Sequence, residues 1–437
     1  MDQRNNPFTL KQISNLKKPK IFFGWWVAIG AVVLNIFQGG VLFYGFTIVL
    51  LPLTEETGWS RTAVTAVFPI IGIIAAILAP FLGNIFDRVG PRPIITVGLI
   101  CMGTGLLLVS KVTTLPGFYA AFTLANLGSM CIWSSSGPAV ANWFVQKQGR
   151  ALGFYSLGFA LSGIMSPPFY WLVETVGWRS GFNYVGLGAF IFIPFALFLI
   201  RHRPENYGLF PDGLDSPPPQ VGESEIEGEG ELNLTPSQAL KTQAFWLMAI
   251  GSSLAFLTIA ALQVHWSPYL ESVGYSRRAA ALLLPIMPLS TVIGRILFGI
   301  LADKFDKKKV ASVAFILQSV SIFILALISA DKPWVLFAFL FFWSVGFGGT
   351  IVTRLALQGY LFGRYSFGTL QGLFSMSSEA GFAFAPLIAS LVFDRLGSYS
   401  PLFFAFSFLT LLAAPITMMI TRPTNQLIEK ELKDSKI

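Results

Sequence analysis

Gly83-Asn84-Ile85-Phe86-Asp87-Arg88-Val89-Gly90-Pro91-Arg92 joins two long apolar runs, and a weaker copy, Gly299-Ile300-Leu301-Ala302-Asp303-Lys304, stands 216 positions further along. The copy has company. Gly58, Pro69, Gly83 and Asp87 recur at that one offset as Gly274, Pro285, Gly299 and Asp303, and the lead-in Gly58-Trp59-Ser60-Arg61 recurs as Gly274-Tyr275-Ser276-Arg277. A second block repeats at an offset of 219, pairing Gly149, Gly153, Ser156 and Pro167 with Gly368, Gly372, Ser375 and Pro386. A short insertion between the blocks accounts for the shift. Chance coincidence among abundant glycines and prolines would not hold one offset in helices of the same ordinal position, so the chain is read as a duplication.

The duplicated unit is built for lipid. Of 437 residues 54% are hydrophobic and 12% charged, against about 25% charged in soluble domains. A hydrocarbon core of about 30 Å needs about 20 apolar residues per helix. Such runs begin near Ile21, Thr62, Pro93, Pro116, Ala151 and Gly181, and again near Ala244, Ala279, Val310, Trp334, Thr369 and Ser400. The expected fold is an all-α membrane protein of twelve transmembrane helices in two pseudo-symmetric six-helix bundles. Residues 1–20 form a tail, 21–200 the first bundle, 201–243 an acidic linker, 244–421 the second bundle and 422–437 a second tail. The linker reading rests on Pro217, Pro218 and Pro219 followed by Glu223, Glu225, Glu227, Glu229 and Glu231 among glycines. The first run, Ile21 to Leu51, outlasts the roughly 7–15 apolar residues of a cleaved signal peptide and is taken as retained. Cys101 and Cys131 sit inside apolar runs, which leaves no disulfide framework or thiolate metal site.

Net charge is +8, and its distribution argues against a nucleic-acid partner. With both termini on one side, 21 Lys and Arg fall in the segments of that side and 7 in the opposite loops. Among the 21 are Lys17, Lys18, Lys20, Arg88, Arg92, Lys147, Arg150, Lys307, Lys308 and Lys309. That excess marks the cytoplasmic side, so both termini are expected inside, with the chain in the plasma membrane. Parallel six-helix repeats of this kind place a substrate site near the membrane midplane between them.

The loop Gly83 to Arg92, with its second copy, resembles the signature of the major facilitator superfamily. In that superfamily the loop governs the conformational switch, which implies a gating role for Gly83, Asp87, Arg88, Gly90, Arg92 and Asp303; the competing role is charge that only fixes topology. Finer features are similar to the monocarboxylate transporter and oxalate:formate antiporter branches. These are Phe23-Gly24-Trp25-Trp26, Trp143-Phe144 with Gly149-Arg150-Ala151-Leu152-Gly153, Arg203-Pro204-Glu205-Asn206-Tyr207-Gly208 with Pro211-Asp212-Gly213, and Phe362-Gly363 before Phe367-Gly368.

A charge at the centre of a membrane helix costs about 3 kcal/mol on insertion scales, so each one present has a reason. Arg295 lies in the eighth run, Arg354 in the tenth, and Glu379 is the carboxylate within the eleventh. The superfamily pattern lets these three meet at a central cavity. Arg295 holds the position where monocarboxylate transporters carry a carboxylate-binding arginine, and a guanidinium fork suits that ligand. A structural ion pair with Glu379 is the alternative. Two departures matter. Proton-coupled monocarboxylate transporters place an aspartate where Thr291 stands and a lysine in the first span, and the antiporters carry a lysine in the eleventh; this chain has none of them. Glu379 could supply the missing carboxyl for proton coupling or be a permanent partner of Arg354, and Arg354, toward the cytoplasmic end of its run, is a second candidate anchor for the anion.

Polar groups expected along the cavity are Asn35, Gln38, Tyr44, Asn126, Ser129, Tyr155, Gln263 and His265, each of which could equally serve interhelical hydrogen bonding. There is no nucleotide loop, no HExxH and too few histidines for a metal centre, so neither a cofactor nor an enzyme is expected. The expected function is secondary transport of a small organic anion, a monocarboxylate first, by alternating access with protons or a counter-anion, by a monomer in the lipid bilayer. A carrier of a neutral or larger solute and a transporter-like ligand sensor are the alternatives.

Overall fold

The computed structural model describes residues 21–216, 232–276, 279–280, 283 and 286–423, of which the side chains at 263–264, 267, 379–384 and 386–387 lie outside the description. Helix α1 spans Phe23–Thr57 with a π-helical turn at Gly40–Tyr44. It is followed by α2 (Val67–Val89), α3 (Pro91–Val109) and α4 (Leu115–Ala141). The next 52 residues, Gln148–Leu199, are helical but broken at Gly177 (φ 80°, ψ 160°), which separates α5 (148–176) from α6 (178–199). The second half holds α7 (Gln243–Ser272), α8 (Ile286–Lys304), α9 (Lys307–Leu325), α10 (Pro333–Phe362), α11 (Phe367–Leu396) and α12 (Ser400–Met418). By length and apolarity alone, ten helices among the described residues could cross a membrane; that count merges α5 with α6 and leaves out α11. Separating the pair and including α11, 30 residues long, gives twelve helices of spanning length among the described residues.

Hydrocarbon offers backbone groups no partner, so the chain must stay helical until it reaches polar surroundings, and helix ends there are capped by side chains. Thr114 accepts from Gly117 N (3.3 Å), Thr242 from Phe245 N (3.3 Å), and Asp306 from Lys308 N and Lys309 N (both 2.9 Å). The break at Gly177 is a reversal. Arg179 Nη1 donates to Ser110 O (3.0 Å) and Val112 O (2.9 Å) at one end of α3, while Arg92 Nε donates to Ile200 O (2.9 Å) at the other. Helix α6 therefore runs antiparallel along α3.

The duplication is visible in packing. Helix α1 lies on α5, α3 on α4 and α6; six helices later α7 lies on α11, and α9 on α10 and α12. Each half buries its own core, with Phe118, Phe122 and Phe182 in the first and Trp266, Phe339 and Phe403 in the second. Outside, α2 turns Ile73 (62% exposed), Ile77 (58%) and Phe81 (62%) to one side at four-residue spacing. At about 25 cal/mol per Å², such a stripe would be heavily penalised in water and belongs against lipid.

The segment expected to be a spacer is folded at both ends, and the ends match. Asp212 N donates to Trp143 O (3.0 Å), and the Asp212 carboxylate accepts from Val145 N (2.8 Å), Gln146 N (2.7 Å) and Lys147 N (3.1 Å). Across the linker, Leu234 N donates to Phe362 O (3.0 Å), and Asn233 Oδ1 accepts from Arg364 N (3.2 Å) and Tyr365 N (3.3 Å). Trp143, Val145 and Gln146 pair with Phe362, Arg364 and Tyr365 at the repeat offset of 219. The acidic run itself, 217–231, lies outside the described residues.

Gly177 separates backbone need from space, because a Cβ there would meet nothing within 4 Å. Gly177→Ala is expected to destabilise the protein by about 1–3 kcal/mol through its left-handed φ alone. Thermal unfolding in detergent should show a lower Tm, whereas Gly188→Ala, in the helical part of α6 and also uncrowded, should be neutral or stabilising.

Candidate functional site

On the face that carries both loop motifs, each half reaches across with an aspartate. Asp87, at the end of α2, accepts from Gly368 N (3.0 Å), Thr369 N (2.8 Å) and Thr369 Oγ1 (2.6 Å) at the start of α11. Asp303, at the end of α8, accepts from Gly149 N (2.6 Å) and Arg150 N (3.1 Å) at the start of α5 and pairs with Arg150 Nε (2.8 Å). The first N–H groups of a helix have no partner within it and carry its positive dipole end, so a carboxylate binds them strongly. Glycines let the backbones close to this range. A Cβ on Gly83 would overlap the Gly368 carbonyl, and one on Gly299 would sit 2.8 Å from Gly149 O. Of the other expected gating residues, Gly90 makes the α2–α3 turn against His202, Arg92 binds Ile200 O within the first half, and Arg88 is exposed.

A second layer on this face was missed from sequence. Arg364 donates to Asn142 O (2.9 Å) and forms an ion pair with Glu205, and Arg203 donates to Tyr365 O (3.0 Å), its guanidinium 4.0 Å from that ring. Arg203 and Glu205 belong to one sequence motif, and Arg364 and Tyr365 stand between Gly363 and Phe367 of another, but nothing in a linear sequence pairs them. His202 is packed against Phe86; burial, then the neighbouring Arg203 charge, pushes its imidazole down to about 4, so it is neutral at physiological pH.

Deeper between the halves is a cavity of about 360 Å³. Among the expected site residues Asn126, Tyr155 and Arg354 line it, together with Gln38 and Ser129. Arg354, from α10, is the charged member of the described lining, and its guanidinium lies 5.3 Å from the Phe256 ring. Ser129 donates to Gln38, Gln38 to Asn35 Oδ1 (2.7 Å), and Asn126 to Phe122 O (2.9 Å), so the α1–α4 side of the wall is a satisfied polar chain. The adjoining π turn of α1 packs Gly40 against Met165, where α5 narrows into a 3₁₀ turn at Ser162–Met165.

Arg295 stands apart from the wall in this conformation. It is 2% exposed, and bonds Thr291 Oγ1 through Nε (3.0 Å) and Ser156 O of the other half through Nη1 (2.6 Å). Tyr44 and Tyr155 lie within electrostatic reach of it, and Tyr155 also within reach of Arg354. The repeat carries a signal here: 216 positions before Arg295 is Ala79, which makes the equivalent close contact with Gly372 that the Arg295 backbone makes with Gly153. Packing at this position needs only a small residue; the guanidinium is additional. His265 is placed elsewhere, with Nδ1 3.2 Å from Tyr399 Oη and Nε2 3.4 Å from Ser390 Oγ. The Glu379 side chain lies outside the described residues.

Two helical bundles with a central cavity and helix-capping carboxylates between them define a membrane transporter rather than an enzyme. The family model of the Major Facilitator Superfamily matches residues 27–357 and, in a second match, 266–435; the chain belongs to that superfamily. It is 27% identical over 310 residues to the oxalate:formate antiporter of Oxalobacter formigenes, covering 70% of each chain. To monocarboxylate transporter 6 of Homo sapiens it is 24% identical over 372 residues, 82% of this chain and 71% of the other. A crystal structure of the human organic anion transporter MFSD10 (TETRAN) superposes with a TM-score of 0.70 over 92% of this chain and 100% of that one, at 13% identity, a likeness of fold.

Asp87→Asn and Asp303→Asn each replace an anionic acceptor by a neutral one and should weaken the closed face by about 1–2 kcal/mol, with the double variant worse than either. Spin labels at Lys147 and Lys304 should report a growing long-distance population in the order wild type, single, double. Unchanged distances in the double variant would show that the carboxylates do not hold the face shut.

Proposed function

We propose that the chain moves a small organic anion, a monocarboxylate in the first instance, across the plasma membrane by alternating access, with both termini in the cytoplasm. The observation that carries this is Arg354 in the wall of the central cavity. Burying a cation at membrane depth costs about 3 kcal/mol, and the equivalent position in the first half, 219 residues earlier, is Ser135, so the repeat architecture does without one. A carboxylate approaching Arg354 would find a fork that binds it through two hydrogen bonds, at low dielectric.

Arg295 is the second anchor of this proposal, used in the other half of the cycle. Its bond to Ser156 O joins α8 to α5 and has to break when those helices part. The guanidinium then needs a new acceptor, and the substrate carboxylate supplies one. The Asp87 and Asp303 contacts would close the cytoplasmic face in the state described above and release together on inward opening. Asn126 and Tyr155 complete the pocket, with Tyr44 beside Arg295. Glu379 is proposed as the proton-accepting group of a symport step; anion exchange is the form the cycle takes without it. A single chain suffices for this scheme, with the substrate anion, protons or a counter-anion, and lipid as its partners.

Counterflow in proteoliposomes tests the scheme. Arg354→Gln should lower anion exchange by about 100-fold or more, while Arg354→Lys, which keeps charge but loses the fork, should retain a measurable fraction. Undiminished transport in Arg354→Gln and Arg295→Gln together would transfer the assignment to a neutral solute, and binding without counterflow would identify a sensor. Glu379→Gln should abolish acceleration of uptake by an inward proton gradient while leaving counterflow; proton-driven uptake that survives it removes the symport step.

A further inference from the structure

The cavity wall is uneven in a way that an anion site alone does not require. On the first-half side Phe43, Trp133, Tyr155 and Phe159 form one continuous aromatic surface. Trp133 and Phe159 are 5.7 Å apart at 66°, Trp133 and Tyr155 6.2 Å at 40°, and Phe43 and Phe159 6.0 Å at 57°. Trp133 and Phe43 line the cavity and are each 39% exposed. Arg354 enters the same cavity from the other half.

Part of the polar wall already has partners. Ser129 donates to Gln38, Gln38 to Asn35 and Asn126 to the Phe122 carbonyl, Gln371 Oε1 is a buried acceptor without a donor, and Arg354 is the charged group of the described lining. A compact dianion would bring two charges to one cation and leave the aromatic surface wet. Formate would fill a small part of about 360 Å³, a volume within the roughly 300–1,000 Å³ of pockets that enclose drug-sized ligands. Ring faces and edges, by contrast, are matched by another ring in offset or edge-on contact.

We infer that the substrate is a monoanion with an aromatic body, an aryl or arylalkyl carboxylate, whose ring rests on the Trp133–Phe159 wall and whose carboxylate meets Arg354. This rests on the anion-carrier reading given above and adds the body of the substrate to it. Trp133 is then a specificity-determining residue: it acts on the ring, while Arg354 acts on the charge shared by all carboxylates.

The test is counterflow with phenylacetate, indole-3-acetate, lactate, formate and oxalate in proteoliposomes of the full chain. Phenylacetate and indole-3-acetate should show KM values about 10-fold or more below that of lactate. Trp133→Ala should raise the phenylacetate KM by about 10-fold and leave that of lactate within about 2-fold, and Trp133→Phe should restore most of the loss. If Trp133→Ala does not insert or fold, the wild-type ranking of the five anions decides alone. Lactate, formate or oxalate carried in an Arg354-dependent manner without the aryl carboxylates overturns the inference and leaves the anion carrier standing. Aromatic solutes carried equally well with and without their carboxyl, and unaffected by Arg354→Gln, overturn both.

Discussion

Two aspartates bridge the halves of this molecule in the conformation described here. Asp87 and Asp303 each leave the end of a helix in one half and cap the start of a helix in the other. What makes the contact strong is geometric: a carboxylate facing two adjacent unpaired N–H groups gains charge-assisted bonds from donors that have no other use. It is also reversible, since water can satisfy both sides once they part. The glycines at 83, 149, 299 and 368 set the approach, because hydrogen-bond range between helix ends demands backbones closer than any Cβ allows.

Between the halves lies the pocket, and the two arginines of the apolar helices α8 and α10 are placed differently with respect to it. Arg354 is in the wall and Arg295 is withdrawn into the α5–α8 contact. The same helix pairing that seats Asp303 on α5 seats Arg295 on Ser156. The comparison with Ala79 sharpens this point. Duplication set equal demands on both positions, and a methyl group met them in one half.

The folded linker ends belong to the same logic. Asp212 and Asn233 bind equivalent turns after α4 and α10, which anchors residues 201–216 and 232–242 to opposite halves. Glu205 then meets Arg364 across the interface, so the segments flanking the acidic run join the closure of the face they cover.

The fold was legible in the sequence to a large degree. Apolar length fixed the helices, the two offsets fixed the repeat, and the Gly83 to Arg92 loop identified the superfamily, because bilayer thickness and close helix packing act on residues near one another in the chain. The same local character made Arg295, Arg354, Asn126 and Tyr155 stand out, as polar groups in apolar helices. Their grouping could not be read that way. That Arg354 lines the cavity while Arg295 is turned away, that His265 is satisfied by Tyr399 and Ser390, and that Phe43, Trp133 and Phe159 form one wall all depend on how helices far apart in sequence are rotated against each other. Aromatic residues in a membrane helix look alike whether they face lipid, a neighbour or a ligand, and only the packed bundle separates the three.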